Sequence, residues 1–449
     1  MRRGGLGIRA AVSRMTAAQD KTWFGQPRGL TILFLTNMWE FFSYYGMRTL
    51  LVYYMTKHLL FAQEKSSFIY GAYTATAYFT PILGGVIADR WLGKRKAVII
   101  GGSVMAMGHF LMAFEPLFYV ALATIALGNG LFLPSLPSQI NDLYSADDPR
   151  RGRAYNIYYV GLNVGGFLAP LICGTLGELY GWHYGFGAAG VGMFSGLAIY
   201  VMGRDYLPAE SPKRAVPASS AAEGRGHHRK LWLLLLGVGI AATIFRGAYE
   251  QVGNTIPLWT DVGVDRALAG FTIPKTWFQA LNPLLVITMT PFLLLHWRRR
   301  AEAGRDTPPA RKMAIGALIV AASYLLLATV STVSGANRAS WLWLVLFFVI
   351  LTLGELFILP TGLGLFARLA PPSLGATTVA AWFLAIFSGS MLAGVVGTLW
   401  SRASHNAFFV ILAGLATLAA ILLWILDRPI RRREPKRVSW PVASATNEQ

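Results

Sequence analysis

Long apolar stretches separated by short polar breaks run through most of the chain. About 20 consecutive apolar residues of helix cross the hydrocarbon core of a bilayer. The sequence holds twelve stretches of that size, at about 30–55, 66–89, 96–115, 118–141, 153–177, 183–202, 231–259, 272–297, 312–333, 340–367, 373–401 and 405–427. Gly and Pro punctuate many of them, which membrane helices tolerate better than soluble ones do. The pattern predicts an all-α polytopic membrane protein. The longest polar gap, 205–230, is rich in Pro, Ala, Ser, Gly and charge, which marks a flexible linker. It divides the spans six and six. The expected organisation is a tail at 1–29, a six-helix bundle at 30–202, a linker at 203–230, a second six-helix bundle at 231–427 and a tail at 428–449. His227 and His228 lie in the linker as an adjacent pair, poor geometry for a metal, and read as solvated.

Composition agrees with the pattern. Of 449 residues, 54% are hydrophobic and 14% charged, against roughly 25% charged in soluble chains. A single cysteine, Cys173, excludes a disulfide framework and multi-cysteine metal sites. The net charge of +19 would suggest nucleic acid in a soluble protein. Here its distribution explains it. Basic residues cluster in the N-tail, after the second, fourth, sixth and eighth spans, and in the C-tail, while loops after odd-numbered spans carry few. This is the positive-inside pattern. It places both termini in the cytoplasm of a multi-pass protein of the cell membrane, in contact with lipid and with no nucleic-acid partner. The Arg-rich N-tail reads as a basic cytoplasmic tail rather than a transit peptide. Ser/His/Asp sets, metal clusters and phosphate loops are not evident, so an enzyme is not expected and no cofactor is called for.

The second span closes with Gly84-Gly85-Val86-Ile87-Ala88-Asp89-Arg90-Trp91-Leu92-Gly93-Lys94-Arg95-Lys96. A carboxylate at a helix end, followed by cations on a tight Gly turn, can lock neighbouring helices in one state. The loop resembles the signature loop of the major facilitator superfamily, whose carriers are built from two parallel six-helix halves. Gly85, Asp89, Arg90, Gly93 and Arg95 are read as structural and gating residues.

Ionisable groups inside a membrane are functional hypotheses by default. Glu40 and Arg48 lie in span one, Glu250 in span seven and Glu355 in span ten. Glu40 and Arg48 are eight residues apart and face roughly one side of a helix. Arg246 and Glu250, at i and i+4, can pair. The alternative for each is a structural ion pair or an end residue reaching the interface. His109, also inside a span, reads as a helix–helix contact.

Span one reads Asn37-Met38-Trp39-Glu40-Phe41-Phe42-Ser43-Tyr44-Tyr45-Gly46-Met47-Arg48. It resembles the Glu-x-x-Glu-Arg-Phe-x-Tyr-Tyr-Gly signature of the proton-dependent oligopeptide transporter family of the major facilitator superfamily. Further likenesses are Asp147-Asp148-Pro149-Arg150-Arg151 leading into Ile157 to Pro170, then Gly181 to Gly190, Tyr249-Glu250-Gln251-Val252-Gly253-Asn254, Trp277 to Pro283, Glu355 to Leu363, Leu369-Ala370-Pro371 and Trp382-Phe383-Leu384. They cover nearly all twelve spans. The chain lacks the two extra mid-chain helices of many bacterial members.

The departures are coherent. The first Glu of the span-one signature is Asn37, its Arg is Phe41, the usual Lys of span four is Leu133, the Ser before the span-ten Pro is Leu359, and the usual Trp of span seven is Arg246. Losing a carboxylate together with two cations avoids stranding a buried charge. The family couples protons through that Glu–Arg–Lys network, so its standard form is absent here.

The resemblance implies a carrier of di- or tripeptides driven by the proton gradient and working by alternating access. Arg48 would hold the peptide carboxylate and Glu355 its ammonium. Tyr45, Tyr78, Asn163, Gln251 and Asn282 would supply hydrogen bonds, and Trp382 an apolar wall. Glu250, Glu40 and Glu355 are the proton-coupling candidates, because a carboxyl shielded from water can exchange a proton. Release of an Arg246–Glu250 pair on protonation would let the halves rock. Packing is the alternative for the aromatic residues and interhelical bonding for the two Asn. Competing readings are a carrier of another small solute, such as a peptide-like metabolite, an amino acid conjugate or nitrate, without standard coupling, and a transport-dead receptor or scaffold. A monomer is expected.

Overall fold

The structure is a computed structural model. It describes residues 22–432 except 24, 146, 147, 149, 209–224, 336 and 370–374, and leaves out the side chains of 225–230, 367, 368, 375 and 376. The N-tail to residue 21, Asp147, Pro149, the linker at 209–224, the side chains of His227 and His228, Ala370, Pro371 and the C-tail beyond 432 therefore lie outside the described residues.

Each apolar stretch read from the sequence falls on a long helix: α1 (Arg28–Tyr53), α2 (Gln63–Ile87), α3 (Lys94–Leu111), α4 (Phe118–Ser138), α5 (Arg151–Ala169), α6 (Trp182–Met202), α7 (Arg225–Tyr249), α8 (Leu281–Glu302), α9 (Pro309–Ser334), α10 (Trp341–Leu369), α11 (Gly375–Gly397) and α12 (His405–Arg431). From Glu115 onward, nine helical runs of the described residues are long and apolar enough to cross a bilayer. Helices α1, α2 and α3 are more polar and fall short of that measure. α7 begins at Arg225, inside the segment expected to be linker.

Local chemistry sets the breaks. Pro170 lacks a backbone N–H, and α5 passes there through a π-turn, Pro170–Gly174, before resuming at Thr175–Leu179. α2 ends in a π-turn, Ala88–Leu92, and Gly93 takes φ +81° to start α3. The Ser404 side chain caps α12 by accepting from the Ala407 backbone N–H at 3.3 Å. In the loop before α5, hydrogen bonds from Arg150 hold the Asp148 carboxyl below the usual carboxylate range.

Helices of the first half pack mainly on one another: α1 on α5 and α6, α3 on α4 and α6, and α2 on α4. In the second half, α9 packs on α10 and α12, α7 on α11 and α12, and α8 on α10. Both halves use the same small-residue device. A Cβ on Gly101 would stand 2.7 Å from the Gly128 carbonyl oxygen between α3 and α4, and one on Gly316 2.6 Å from that of Gly354 between α9 and α10. Large apolar side chains such as Leu127, Phe194, Phe292, Val333 and Ile425 are exposed on the outside, as a lipid-facing surface requires.

The halves meet where α2 packs on α11 and α5 on α8. At the first seam, a Cβ on Gly71 would fall 2.3 Å from the Gly394 Cα. The bonds joining the halves gather between mid-bundle and the end that carries the α1–α2 and α11–α12 turns. There Ser67 donates to Asn254 (2.9 Å), Gln63 to the Gly397 carbonyl (2.9 Å) and Tyr53 to the Pro257 carbonyl (2.8 Å). Asp261 takes Lys57 (2.9 Å) and Lys275 (3.1 Å), and Glu178 receives the backbone N–H groups of Thr276 (2.7 Å) and Lys275 (3.2 Å). One end of the seam is thus closed by charges drawn from both halves.

Candidate functional site

At mid-bundle the Glu250 carboxylate is held from two sides. One oxygen pairs with Arg48 of α1, from the first half, and the other with Arg246, one turn earlier on its own helix. Glu250 is 1% exposed, Arg246 5% and Arg48 11% by side chain. The helix breaks at this point: α7 ends at Tyr249, and Glu250–Val252 form a 3-10 turn before the chain resumes at Thr255–Gly263.

Tyrosines surround the cluster. Arg48 Nε donates to the Tyr70 hydroxyl at 2.6 Å, which donates in turn to Glu250 at 3.3 Å. Arg246 Nη2 donates to the Tyr78 hydroxyl at 3.0 Å. The Arg48 guanidinium lies over the Tyr45 ring at 5.6 Å, and that of Arg246 over the Tyr249 ring at 5.4 Å. A Cβ on Gly253 would collide with the Tyr70 hydroxyl and crowd Arg48, so the glycine lets the two halves approach.

A second polar cluster lies in the second half. Asn282 of α8 donates to Glu355 of α10 at 2.6 Å and to Thr352 at 3.0 Å. Tyr249 stands beside Glu355, so its ring links this cluster to the first. Trp382 of α11 is buried against the Phe366 ring (5.2 Å) and fills the space a side chain on Gly362 would need.

The structure thus brings together Arg48, Tyr45, Tyr78, Arg246 and Glu250, with Glu355 and Asn282 nearby, and Trp382 in the adjoining α10–α11 packing. Three expectations are placed otherwise. Gln251 is wholly buried, and its amide donates to the Gly247 and Ala393 carbonyls at 3.1 and 2.8 Å while accepting from Thr255 at 3.0 Å. It pins the 3-10 turn to α11 and does not face Arg48. Asn163 donates to the Tyr159 carbonyl of its own helix at 3.0 Å. Glu40, 2% exposed, stands apart from the Arg48 cluster, buried within the first half. Among the described residues one of its oxygens has no hydrogen-bond partner, and its neighbours include Tyr73 and Tyr158. Asn37, one turn before it, donates to the Tyr158 carbonyl at 3.0 Å.

The loop motif behaves as a latch within the first half. Arg95 donates to the Leu207 and Pro208 carbonyls, both at 2.6 Å, and Lys94 pairs with Asp142 at 2.7 Å. Asp89 and Arg90 are exposed on the π-turn, and Gly85 packs against Pro134. Sequence reasoning missed Tyr70 and the seam residues Lys57, Glu178, Asp261 and Lys275. For the last four a signal was present: charges at span ends in loops otherwise poor in charge.

Comparison with known proteins follows the same lines. The sequence pattern that describes the POT family matches residues 95–224 and 223–411. An uncharacterized transporter of Bacillus subtilis is 30% identical over 94% of this chain and 97% of its own length. The di-/tripeptide transporter of Lactococcus lactis subsp. cremoris is 30% identical over 92% of this chain and 97% of its own. A crystal structure of a peptide transporter, POT, in complex with sulfate superposes with a TM-score of 0.86 at 28% identity, covering 93% of this chain and 99% of that one. The chain is a multi-pass membrane protein of the major facilitator fold and belongs to the POT family.

Proposed function

We propose that this protein carries di- and tripeptides across the cell membrane by alternating access, driven by the proton gradient. The single observation that carries the reading is Glu250 shared between Arg48 of the opposite half and Arg246 of its own helix. While ionised, Glu250 ties the halves together. Once it takes a proton it releases both guanidiniums, and a substrate carboxylate takes its place on Arg48 through charge-assisted hydrogen bonds. Glu355, held toward the same region by Asn282, receives the ammonium. Proton and substrate then act on one charged group, which is the differential interaction a coupled carrier needs. Glu40 is a second proton site within the first half. Both termini face the cytoplasm, the charged end of the seam faces outward, and the described state has its outer gate shut. The protein acts as a monomer among lipids, without a cofactor.

The test is uptake of labelled dialanine into proteoliposomes of the wild-type protein, with and without an inward proton gradient. Uphill accumulation that requires the gradient is expected. Equilibration without accumulation would leave a peptide facilitator. Absence of uptake in both conditions, for dialanine and for labelled Ala-Glu alike, would overturn the peptide reading in favour of the carrier of another small solute. That second reading is favoured by Phe41 and Leu133, which remove the cations of the family's standard network.

A further inference from the structure

Arg246 brings a second buried positive charge to the Glu250 site, and this sets a requirement on the substrate. Arg246 is nearly as deeply buried as Glu250, on which it and Arg48 both converge. Among the described residues its other contacts are the Tyr78 hydroxyl and the faces of Tyr78 and Tyr249, all uncharged, and its Nε finds no hydrogen-bond partner among them. Glu355 is the next carboxylate: it accepts from the Asn282 amide, which also donates to Thr352, and it stands beside Tyr249 within electrostatic reach of Arg246. Glu40 is buried within the first half and pairs with neither guanidinium.

The charges of this group can be added. In the described state, Arg48 and Arg246 contribute +2, and Glu250 and Glu355 contribute −2 when ionised, so the group is neutral. When Glu250 takes a proton, the sum becomes +1. A zwitterionic dipeptide adds nothing and leaves +1 in a site with little water, which is unfavourable. A peptide carrying one acidic side chain adds −1 and restores neutrality. A peptide carrying a lysine side chain raises the sum to +2. With an uncharged residue at 246 each sum falls by one, and the zwitterion becomes the neutral match.

We infer that Arg246 is a specificity-determining residue that turns this site toward peptides with a net negative charge, those with an aspartyl or glutamyl side chain. The inference rests on the peptide reading above and names the substrate class within it. One guanidinium takes the terminal carboxylate and the other the side-chain carboxylate. One proton and one such peptide enter together, and the loaded cavity carries the same charge as the empty one.

The experiment is competition of unlabelled Ala-Glu, Ala-Ala and Ala-Lys against labelled dialanine uptake in proteoliposomes, for the wild type, Arg246→Trp and Arg246→Lys. In the wild type Ala-Glu is expected to compete about tenfold better than Ala-Ala, and Ala-Ala about tenfold better than Ala-Lys, one unit charge at this depth being worth at least that factor. Arg246→Lys keeps the order, because the charge remains. Arg246→Trp makes Ala-Ala the best competitor. A residue with a structural role alone would change the amount of uptake and leave the order untouched. Dialanine uptake with a flat order in the wild type overturns the inference and leaves the peptide reading standing. An order unchanged in Arg246→Trp also overturns it. Uptake of no peptide overturns both.

Discussion

Among the described residues, Glu40 of the first half is buried without a cation, while Glu250 of the second is buried with two. Both carboxyls are shielded from water at similar depth, yet their surroundings are opposite. The first-half positions that resemble the family's cation sites are Phe41 and Leu133, and the polar groups near Glu40 are Tyr73, Tyr158 and, one turn earlier, Asn37. Around Glu250 one guanidinium arrives from the opposite half and the other from the preceding turn. The lesson is that the paired buried charge sits at the junction of the two halves and not inside the first. A carboxyl paired across that junction can report its protonation state to the motion of the halves. A carboxyl enclosed within one half has no such lever.

The largest expected break in this comparison comes from removing each carboxylate in turn. Glu250→Gln leaves two buried guanidiniums without their shared anion and should lower stability by about 3–5 kcal/mol. Glu40→Gln breaks no ion pair and should stay within about 1 kcal/mol of the wild type. Thermal unfolding of the detergent-solubilised protein measures both, and equal losses would erase the distinction.

The seam gives the next effect. Gly71→Leu places side-chain atoms where the Gly394 backbone lies, and overpacking of roughly 1–3 kcal/mol should cut dialanine uptake by about tenfold. Gly187→Leu, on α6 with open space around its Cα, should leave uptake unchanged. Similar losses in both would show that the α2–α11 contact has no special part in the cycle.

A smaller effect is expected at Tyr78. Its hydroxyl accepts a hydrogen bond from Arg246, and bonds to charged groups contribute about 1.5–3 kcal/mol. Tyr78→Phe should therefore loosen Arg246 and weaken uptake several-fold, without abolishing the response to a proton gradient. Uptake at the wild-type level would mean that Glu250 alone positions Arg246. The smallest effect belongs to the rim. Lys57 is half exposed in its pair with Asp261, whereas Lys275 is more buried and also sits over the Tyr53 ring at 4.4 Å. Lys57→Ala should change uptake by less than about twofold, as exposed pairs contribute roughly 0–1 kcal/mol. Lys275→Ala should exceed it, and the reverse order would place the gate nearer the surface.

The sequence made the spans legible because apolar length is what a bilayer demands of a helix. Even α1 to α3, too polar for a strict hydropathy measure, were legible from their apolar runs and from the charged Gly93 loop between α2 and α3. The Arg246–Glu250 pair was legible from i, i+4 spacing, since both residues ride on one helix. The Arg48–Glu250 pair is set by how two halves dock across 202 positions, and no local period carries that information. Tyr70 was hidden for the same reason, as one of 18 tyrosines whose partners come from elsewhere in the fold. Gln251 was misread because its neighbour in sequence points elsewhere: a step of one residue turns a side chain about 100° around a helix. Glu250 therefore faces Arg48 while Gln251 faces the α11 backbone.

The most direct measurement compares gradient-driven accumulation of labelled dialanine by Glu250→Gln and Glu40→Gln in proteoliposomes, each normalised to the amount of folded protein. The account predicts that Glu250→Gln loses accumulation above equilibrium while Glu40→Gln still accumulates peptide when the proton gradient is applied. Accumulation that survives in Glu250→Gln and disappears in Glu40→Gln would contradict it, and would return the coupling to the first half.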